Sequence, residues 1–182
     1  MPLPHFTTVD SHNKILEPIF KNLFEVVVIL PNAIARDDAK TVLLENCKKA
    51  SFPAYPKIET AEQFFKFSTR KFMKMPTTTS TELKLDFNIN VEELQANTFR
   101  MMKDWYDLVW NNEDGSLHYK NNVIGEIIVH AHDKEGHVLR RVTYFNCQIM
   151  GFTGWEDLDW GSQDIAELSV EFVADYWTDM YY

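Results

Sequence analysis

The sequence predicts a mainly β protein of the α+β class, built as an antiparallel β-sandwich or barrel with one flanking α-helix. Two observations carry this prediction. About seven segments alternate apolar and polar residues, or run through β-branched residues, over the length of a strand, whereas a single segment has the spacing of an amphipathic helix. The chain has 182 residues, of which 45% are hydrophobic, so we expect one domain with a sizeable core.

The first third of the chain holds an arm and two segments of predicted regular structure. Residues 1–21 contain prolines and little periodicity, so we expect an N-terminal arm in front of a single domain over residues 22–177. Residues 23–30 form a largely β-branched run that Pro31 ends, which predicts a strand. Residues 41–51 suit another strand, although their charged residues also fit a helix.

A long hairpin is predicted at about residues 57–91. Residues 64–75 alternate in part, residues 76–80 have the composition of a turn, and residues 82–91 alternate throughout. Because successive side chains of a strand point to opposite faces, the last segment separates an apolar face from a polar one. The polar face consists of Glu82, Lys84, Asp86, Asn88 and Asn90.

The one predicted helix covers about residues 91–110. Asn90 is a candidate N-cap, with Glu93 three residues later at the capping-box position. Beyond the helix, residues 123–150 form a second predicted hairpin with its turn at 133–136. The apolar residues of the helix recur every three or four positions and predict that one side packs on the sheet: Leu94, Met101, Met102, Trp105, Leu108 and Val109.

The chain closes with an aromatic, acidic loop and one more predicted strand. Trp155 and Trp160 lie in the loop, and residues 167–177 then alternate as a half-buried strand, leaving a short tail over residues 178–182. The alternation assigns Leu168, Val170, Phe172, Ala174 and Tyr176 to one face, and Glu167, Ser169, Glu171 and Asp175 to the other.

Charge and cysteine content exclude several classes of function. The net charge of -9 argues against a nucleic-acid binder, because affinity for phosphate comes mainly from Lys and Arg. No run of 18 apolar residues predicts a membrane span, and the N-terminus lacks the basic region and apolar run of a secretion signal. Cys47 and Cys147 have no metal-binding spacing, so we expect a buried, reduced pair.

His130 and His132 are the best candidates for chemistry. Two histidines at positions i and i+2 of a strand project to the same face, as a metal ion requires. With Gly125 and Glu135 they approximate the first metal motif of cupins, but the spacing from His132 to Glu135 is too short and no second motif follows. Their position beside a turn also suggests that they face solvent. We therefore expect no metal, no cofactor and no catalytic residue.

Four segments, in order along the chain, resemble the tail tube proteins of contractile-tailed bacteriophages. Residues 22–26 (Asn-Leu-Phe-Glu-Val) look like the family's opening strand, and residues 47–53 are similar to a strand ending in a small residue, a hydrophobic residue and proline. Residues 99–105 resemble the helical segment with an Asp-Trp pair. Residues 154–177, which end in Asp-Tyr-Trp, resemble the closing loop and strand.

This resemblance implies a tail-tube fold and a structural virion protein that is not an enzyme. Hexameric rings would stack into the inner tail tube, a conduit for the tape measure protein and the genome. The implied partners are the sheath, the baseplate hub and the tail terminator, with transient non-specific passage of DNA and no membrane insertion. The implied location is the virion tail, assembled in the host bacterial cytoplasm.

Three alternatives stay open on the sequence alone. The chain could be a tube-initiator or baseplate paralogue, or the inner tube of a phage-derived contractile injection system. A different class of protein, a monomeric cupin-like β-barrel, would bind a metal through His130 and His132.

The net charge suggests which residues would line a channel. If each ring attracted DNA by even about 0.5 kcal/mol, as a weak surface ion pair does, a long stack would trap it. A negative or neutral wall repels phosphate within a Debye length of about 10 Å at 0.1 M salt. Candidates for the lumen are Glu82, Asp86, Asn88, Glu167, Ser169 and Glu171, and candidate structural anchors are Trp105, Trp155, Trp160, Tyr176 and Trp177. Residues 1–21 and 57–80 are expected to bridge subunits.

Overall fold

Nine strands and three α-helices form the part of the chain that the computed structural model describes, residues 20–36, 39–74, 81–89, 97–154 and 165–182. The strands are β1 (Phe24–Ile29), β2 (Cys47–Ala50), β3 (Thr60–Phe65), β4 (Ser68–Met73), β5 (Glu82–Asn88), β6 (Gly125–His132), β7 (Val138–Thr153), β8 (Glu167–Val173) and β9 (Tyr176–Tyr181). The helices are α1 (Ala39–Asn46), α2 (Thr98–Val109) and α3 (Lys120–Val123), and Asn32–Ile34 form a 3-10 turn. Within these ranges, every helix is too short or too polar to cross a membrane.

Seven of the strands form one antiparallel sheet in the order β1-β6-β7-β8-β5-β2, with β9 added on β7. The long strand β7 takes part in both halves of this sheet. Its residues 138–147 pair with β6, and its residues 148–153 pair with β8. Asn146 lies near the end of the first half, two residues before the pairing with β8 begins, and has φ 54°, in the left-handed region that asparagine tolerates better than most residues. This corner lets one strand connect two walls that enclose a common core.

The core lies between these walls and helices α1 and α2. Trp105 of α2 is fully buried at its centre, where the ring centroid lies 5.2 Å from that of Phe172 and the indole Nε1 donates a 2.9 Å hydrogen bond to the carbonyl oxygen of Val123. A buried indole needs such a partner because an unpaired N–H would be costly. The apolar residues of β5 and β8 complete the core: Leu83, Leu85, Phe87, Leu168, Val170 and Phe172.

Gly125 allows the Trp105 ring to approach the backbone of β6. A Cβ atom at this position would lie 2.5 Å from the carbonyl oxygen of Ile29 and 2.7 Å from the Trp105 ring. Both distances are shorter than any ordinary contact, and the first involves backbone that cannot move by a rotamer change. Gly151 on β7 is different, because a Cβ atom there would meet no atom within 4 Å.

These two glycines give a matched test of the packing. Gly125→Ala is expected to lower the free energy of unfolding by about 1–3 kcal/mol, as overpacking does in well-packed cores. Gly151→Ala should leave it unchanged or raise it slightly, since alanine restricts the unfolded chain. Urea denaturation followed by circular dichroism measures both values. Equal stability of the two variants would contradict the packing described here.

The fold class predicted from the sequence is confirmed, whereas several element boundaries are wrong. Residues 39–46 form helix α1 and only residues 47–50 form a strand, so the helical alternative for this segment was correct in part. Ala39 and Leu43, four residues apart, are the buried positions of α1. A spacing of four fits one face of a helix and not the alternation of a strand.

Helix α2 begins later than predicted. Asn97 is the N-cap, and its Oδ1 atom accepts a 2.9 Å hydrogen bond from the backbone N–H of Phe99. The predicted N-cap Asn90 and its partner Glu93 lie outside the described residues. Asparagine is a good cap at either position, and the sequence contains both, so composition could not choose between them.

The predicted hairpin over residues 57–91 is also wrong. The chain reverses at Lys66 and Phe67, so that β3 and β4 form a short hairpin of their own, and β5 pairs with β8 and β2. Phe67 concealed this reversal, because an aromatic residue carries no turn signal. One face of β5, formed by Leu83, Leu85 and Phe87, is entirely apolar and must be covered by the core. The strand therefore lies inside the sheet, between β8 and β2.

The single closing strand predicted over residues 167–177 is two separate strands, β8 and β9. The chain bends at Asp175, whose backbone N–H donates a 3.0 Å hydrogen bond to the carbonyl oxygen of Phe145 and whose carboxylate accepts hydrogen bonds from Lys120 and Asn146. Residues 176–181 then pair with the first half of β7 as β9, so the predicted tail belongs to the sheet. Tyr176, predicted to point inward, is exposed and stacks on Phe145 at a centroid distance of 4.8 Å.

Candidate assembly surfaces

The six residues predicted to line a channel lie together on the outer face of β5 and β8. The register pairs Asp86 with Ser169, whose Oγ donates a 2.5 Å hydrogen bond to Asp86 Oδ1, and pairs Asn88 with Glu167. Paired residues of antiparallel strands share a face, and the intervening positions of both strands are buried. The remaining candidates, Glu82 and Glu171, follow the same alternation. We call these six residues together with Lys48, Lys49 and Lys84 the polar wall.

The lysines of the polar wall were only partly evident from the sequence. A β-bulge between Cys47 and Lys49 turns both Lys48 and Lys49 outward. Lys48 forms an ion pair with Glu167, Lys49 Nζ lies 3.7 Å from Asp86, and Lys84 Nζ lies 3.4 Å from Glu171. Four carboxylates against three ammonium groups leave the wall with one net negative charge. Each exposed pair adds little stability, but together they leave few lysine charges for phosphate to bind.

The hairpin of β3 and β4 is the most exposed apolar surface in the described part of the chain. Among the described strands, β3 and β4 pair only with each other. The side chains of Phe64, Phe67 and Met73 are 78%, 98% and 79% exposed. A two-stranded hairpin with no packing partner is marginal in water, and large exposed apolar side chains mark interaction sites. The hairpin therefore has the properties of a segment that packs against another molecule.

The Asp-Tyr-Trp segment leads into strand β9, which an ion pair joins to β7. Asp179 of β9, whose side chain is 5% exposed, accepts hydrogen bonds of 3.0 and 2.7 Å from the Nε and NH2 groups of Arg140 on β7, and a further one from the Tyr55 hydroxyl. Burial alone would raise the pKa of Asp179, but these hydrogen bonds outweigh it, so the pKa is lowered. The Arg140 guanidinium also lies 4.3 Å from the Phe52 ring centroid.

The predicted aromatic anchors have different environments. Trp105 is fully buried in the core. Trp177 is half-buried and meets Tyr55 edge to face, with ring centroids 5.3 Å apart. Tyr176 lies on the surface. Trp155 and Trp160 lie outside the described residues.

The prediction that His130 and His132 face solvent is wrong. Their side chains are only 19% and 20% exposed, and both approach Glu25 on the neighbouring strand β1. Glu25 Oε2 lies 3.7 Å from His130 Nδ1 and 3.3 Å from His132 Nε2. Burial lowers the pKa of His130. Sequence reasoning missed Glu25, because only the pairing of β1 with β6 brings it opposite His130.

Both cysteines are free thiols; Cys147 is buried as predicted, whereas Cys47 is only half-buried. Burial raises the pKa of Cys47 and of Cys147 to about 12. Since the thiolate is the reactive form, both groups stay protonated and unreactive at neutral pH. Neither thiol is a candidate nucleophile.

The antiparallel strand order and the flanking helix α2 form a fold that recurs in chains of solved contractile-apparatus structures, which confirms the resemblance at the level of the fold. No family model and no curated protein matches the chain. Solved structures do. One of them is a chain of the extended-state sheath–tube complex of an extracellular contractile injection system, PVC. It is 15% identical to this chain with a TM-score of 0.59, and the alignment covers 99% of this chain and 100% of that one.

Two further structures show the same fold. A chain of the tube-terminating cap of the anti-feeding prophage is 16% identical with a TM-score of 0.58, over 91% of this chain and 93% of that one. A chain of the 6-fold symmetrised baseplate of the same prophage is 10% identical with a TM-score of 0.56, over 91% and 97%. Such similarity extends over nearly the whole described domain and identifies its architecture.

Proposed function

We propose that this protein is a structural, non-catalytic subunit of the inner tube of a contractile tail or injection apparatus. Hexameric rings of the chain stack into a hollow tube. The observation that carries the proposal is the hairpin of β3 and β4, on which the side chains of Phe64, Phe67 and Met73 are largely exposed in the described part of the chain. A fold shared with chains of sheath–tube, cap and baseplate structures supports the same function.

Two kinds of contact build such a tube. A head-to-tail contact that closes after six copies forms a ring, and a second contact that does not close stacks the rings. The hairpin, together with the N-terminal arm of residues 1–21, supplies the reach between subunits. Strand β9 pairs with β7 on one side only among the described strands, so its other edge is available for a neighbouring subunit.

The polar wall is proposed as the lining of the bore. Its paired lysines and small negative charge present hydrated side chains that bind neither DNA nor a tape measure protein. A bore of this kind lets a cargo pass without holding it. The sheath around the tube, and the baseplate hub and terminator at its ends, are the proposed partners, and the tail of the assembled particle is the proposed location, after assembly in the bacterial cytoplasm.

The structural similarities favour the injection-system form of this function. The sheath–tube chain, which has the highest TM-score of the three compared structures, comes from an extracellular contractile injection system, and the cap and baseplate chains come from the anti-feeding prophage. Because a cap chain and a baseplate chain share the fold, a subunit that forms one ring and does not polymerise is the second candidate. Polymerisation of the purified chain separates it from the main tube subunit.

Electron microscopy of the purified full chain tests the proposal. Negative staining should show six-fold rings, alone or stacked into tubes, and a reconstruction of the tube should place Glu82, Asp86 and Glu171 on the bore. Rings that never stack would assign the chain to a cap or baseplate position. Monomers at all concentrations would refute the proposed function, and a bore lined by another face would refute the proposed role of the polar wall.

A further inference from the structure

We propose that Glu25, His130 and His132 bind one divalent transition-metal ion, with Zn²⁺ as the best fit. The three side chains converge on one point on the outer side of β1 and β6, and their ligand atoms all lie within 4.8 Å of one another. This site is separate from the polar wall and from the hairpin. The inference does not depend on tube assembly.

Strand geometry brings the three ligands together. His130 and His132 lie two positions apart on β6 and therefore project to the same face. The register places Glu25 of β1 directly opposite His130. The intervening neighbours Val26 and Val129 point the other way into the core, which fixes the backbone on both strands.

The two distances to Glu25 suit zinc. Bonds of about 2.0–2.2 Å at tetrahedral angles place ligand atoms about 3.3–3.6 Å apart. Glu25 Oε2 lies 3.3 Å from His132 Nε2 and 3.7 Å from His130 Nδ1. Two imidazoles and one carboxylate form a donor set that zinc accepts, and three protein ligands leave a fourth position for water or another group.

The hydrogen bonding around His132 also resembles that of a metal ligand. Its Nδ1 lies 3.2 Å from the carbonyl oxygen of Gly136, so an N–H group there donates to the carbonyl. In the neutral ring, Nε2 then carries a lone pair directed at the Glu25 carboxylate. Two lone pairs at this distance repel each other unless a proton or a cation lies between them. Metal-binding histidines are commonly oriented by such a bond from the other ring nitrogen.

The surroundings contain one opposing charge and one competing cluster. Arg141 pairs with His130 across β6 and β7, and its positive charge weakens the attraction for a cation. The competing cluster is Asp133, Glu135 and His137 in the next turn. There Asp133 Oδ1 already accepts hydrogen bonds from the backbone N–H groups of Glu135 and His137, and the His137 side chain is exposed, so we assign the ion to the first cluster.

A bound ion would join β1 to β6 through side chains. Strand β1 is the first described strand, and the predicted N-terminal arm precedes it. It lies at one end of the strand order and, among the described strands, pairs only with β6. A metal link at this point would fix the strand to which the arm is attached.

Isothermal titration of the full chain with Zn²⁺ tests the site. One equivalent should bind per chain, and Glu25→Gln and His132→Gln should each weaken binding by about 100-fold or more, at least the loss expected for an outer-shell partner. His137→Gln is the matched control and should bind like the original chain.

Three results would overturn the proposal: no saturable binding by the original chain, unchanged affinity in His132→Gln, or loss of affinity in His137→Gln alone. Glu25→Gln keeps the shape of the side chain and so remains informative if a histidine variant fails to fold. Circular dichroism of each variant verifies the fold, and ring formation by the apo-protein is measured separately, so that failure of the metal site and failure of the proposed function are distinguishable.

Discussion

Replacing Phe64 and Phe67 together with serine is expected to abolish rings and tubes while the domain stays folded. Both side chains are almost fully exposed in the single chain, so the monomer loses little packing when they are removed. In the proposed tube they are buried against a neighbouring subunit, where each phenylalanine contributes about 1.5–3 kcal/mol. Every subunit of every ring would lose that contribution, so the effect multiplies through the assembly.

Sedimentation velocity and negative-stain microscopy measure the assembly, and circular dichroism with urea denaturation measures the fold. The matched control is Gln63→Ser with Lys66→Ser, which truncates two polar side chains of the same hairpin and should assemble normally. Tubes of normal length from the Phe64→Ser/Phe67→Ser variant would show that the hairpin does not form the subunit contact. Loss of assembly in both variants would show that the apolar side chains of the hairpin are not the specific cause of the subunit contact.

Trp105→Ala is expected to lower the free energy of unfolding by about 3–5 kcal/mol, the range for removal of a large buried aromatic residue. Two contributions disappear together. Removal of the fully buried indole leaves a cavity between Phe172 and Gly125, and the hydrogen bond to the carbonyl oxygen of Val123 is lost. A loss of this size is a large fraction of the stability of an ordinary domain.

The measurement is best made in the Phe64→Ser/Phe67→Ser background, because assembly would otherwise add to the apparent stability of the folded state. Trp110→Ala serves as the control: this tryptophan follows α2 and is only half-buried. It should cost clearly less than Trp105→Ala. If the two tryptophans prove equivalent, or if Trp105→Ala costs less than about 1 kcal/mol, the core is not centred on Trp105.

The lumen candidates show how far sequence alternation can go. Perfect alternation in residues 82–88 correctly assigned Glu82, Asp86 and Asn88 to the side opposite the core. It could not show that β8 would lie beside β5, because pairing between strands whose paired residues Asp86 and Ser169 are 83 positions apart depends on the whole sheet. Whether this face meets a bore stays a prediction, since it depends on contacts between subunits.

The Glu25, His130 and His132 cluster shows the opposite situation. The spacing of the two histidines marks them in the sequence, and Glu135 is the carboxylate that follows them in the same segment. The carboxylate that lies beside them, Glu25, is more than a hundred positions away, in the strand predicted at residues 23–30. Local patterns carry no information on which strand becomes a neighbour.

The sequence by itself determined the fold class, the inward and outward sides of the regular strands, the amphipathic helix and the order of the tube-like segments. These properties follow from the periodicity of apolar residues, which acts within a single element. Only the tertiary structure decided which strands pair with β5, how β7 is divided between two walls, and which charges face one another. Those features depend on contacts between distant segments, whose free energy is set by the packing of the whole core and not by any one stretch of residues.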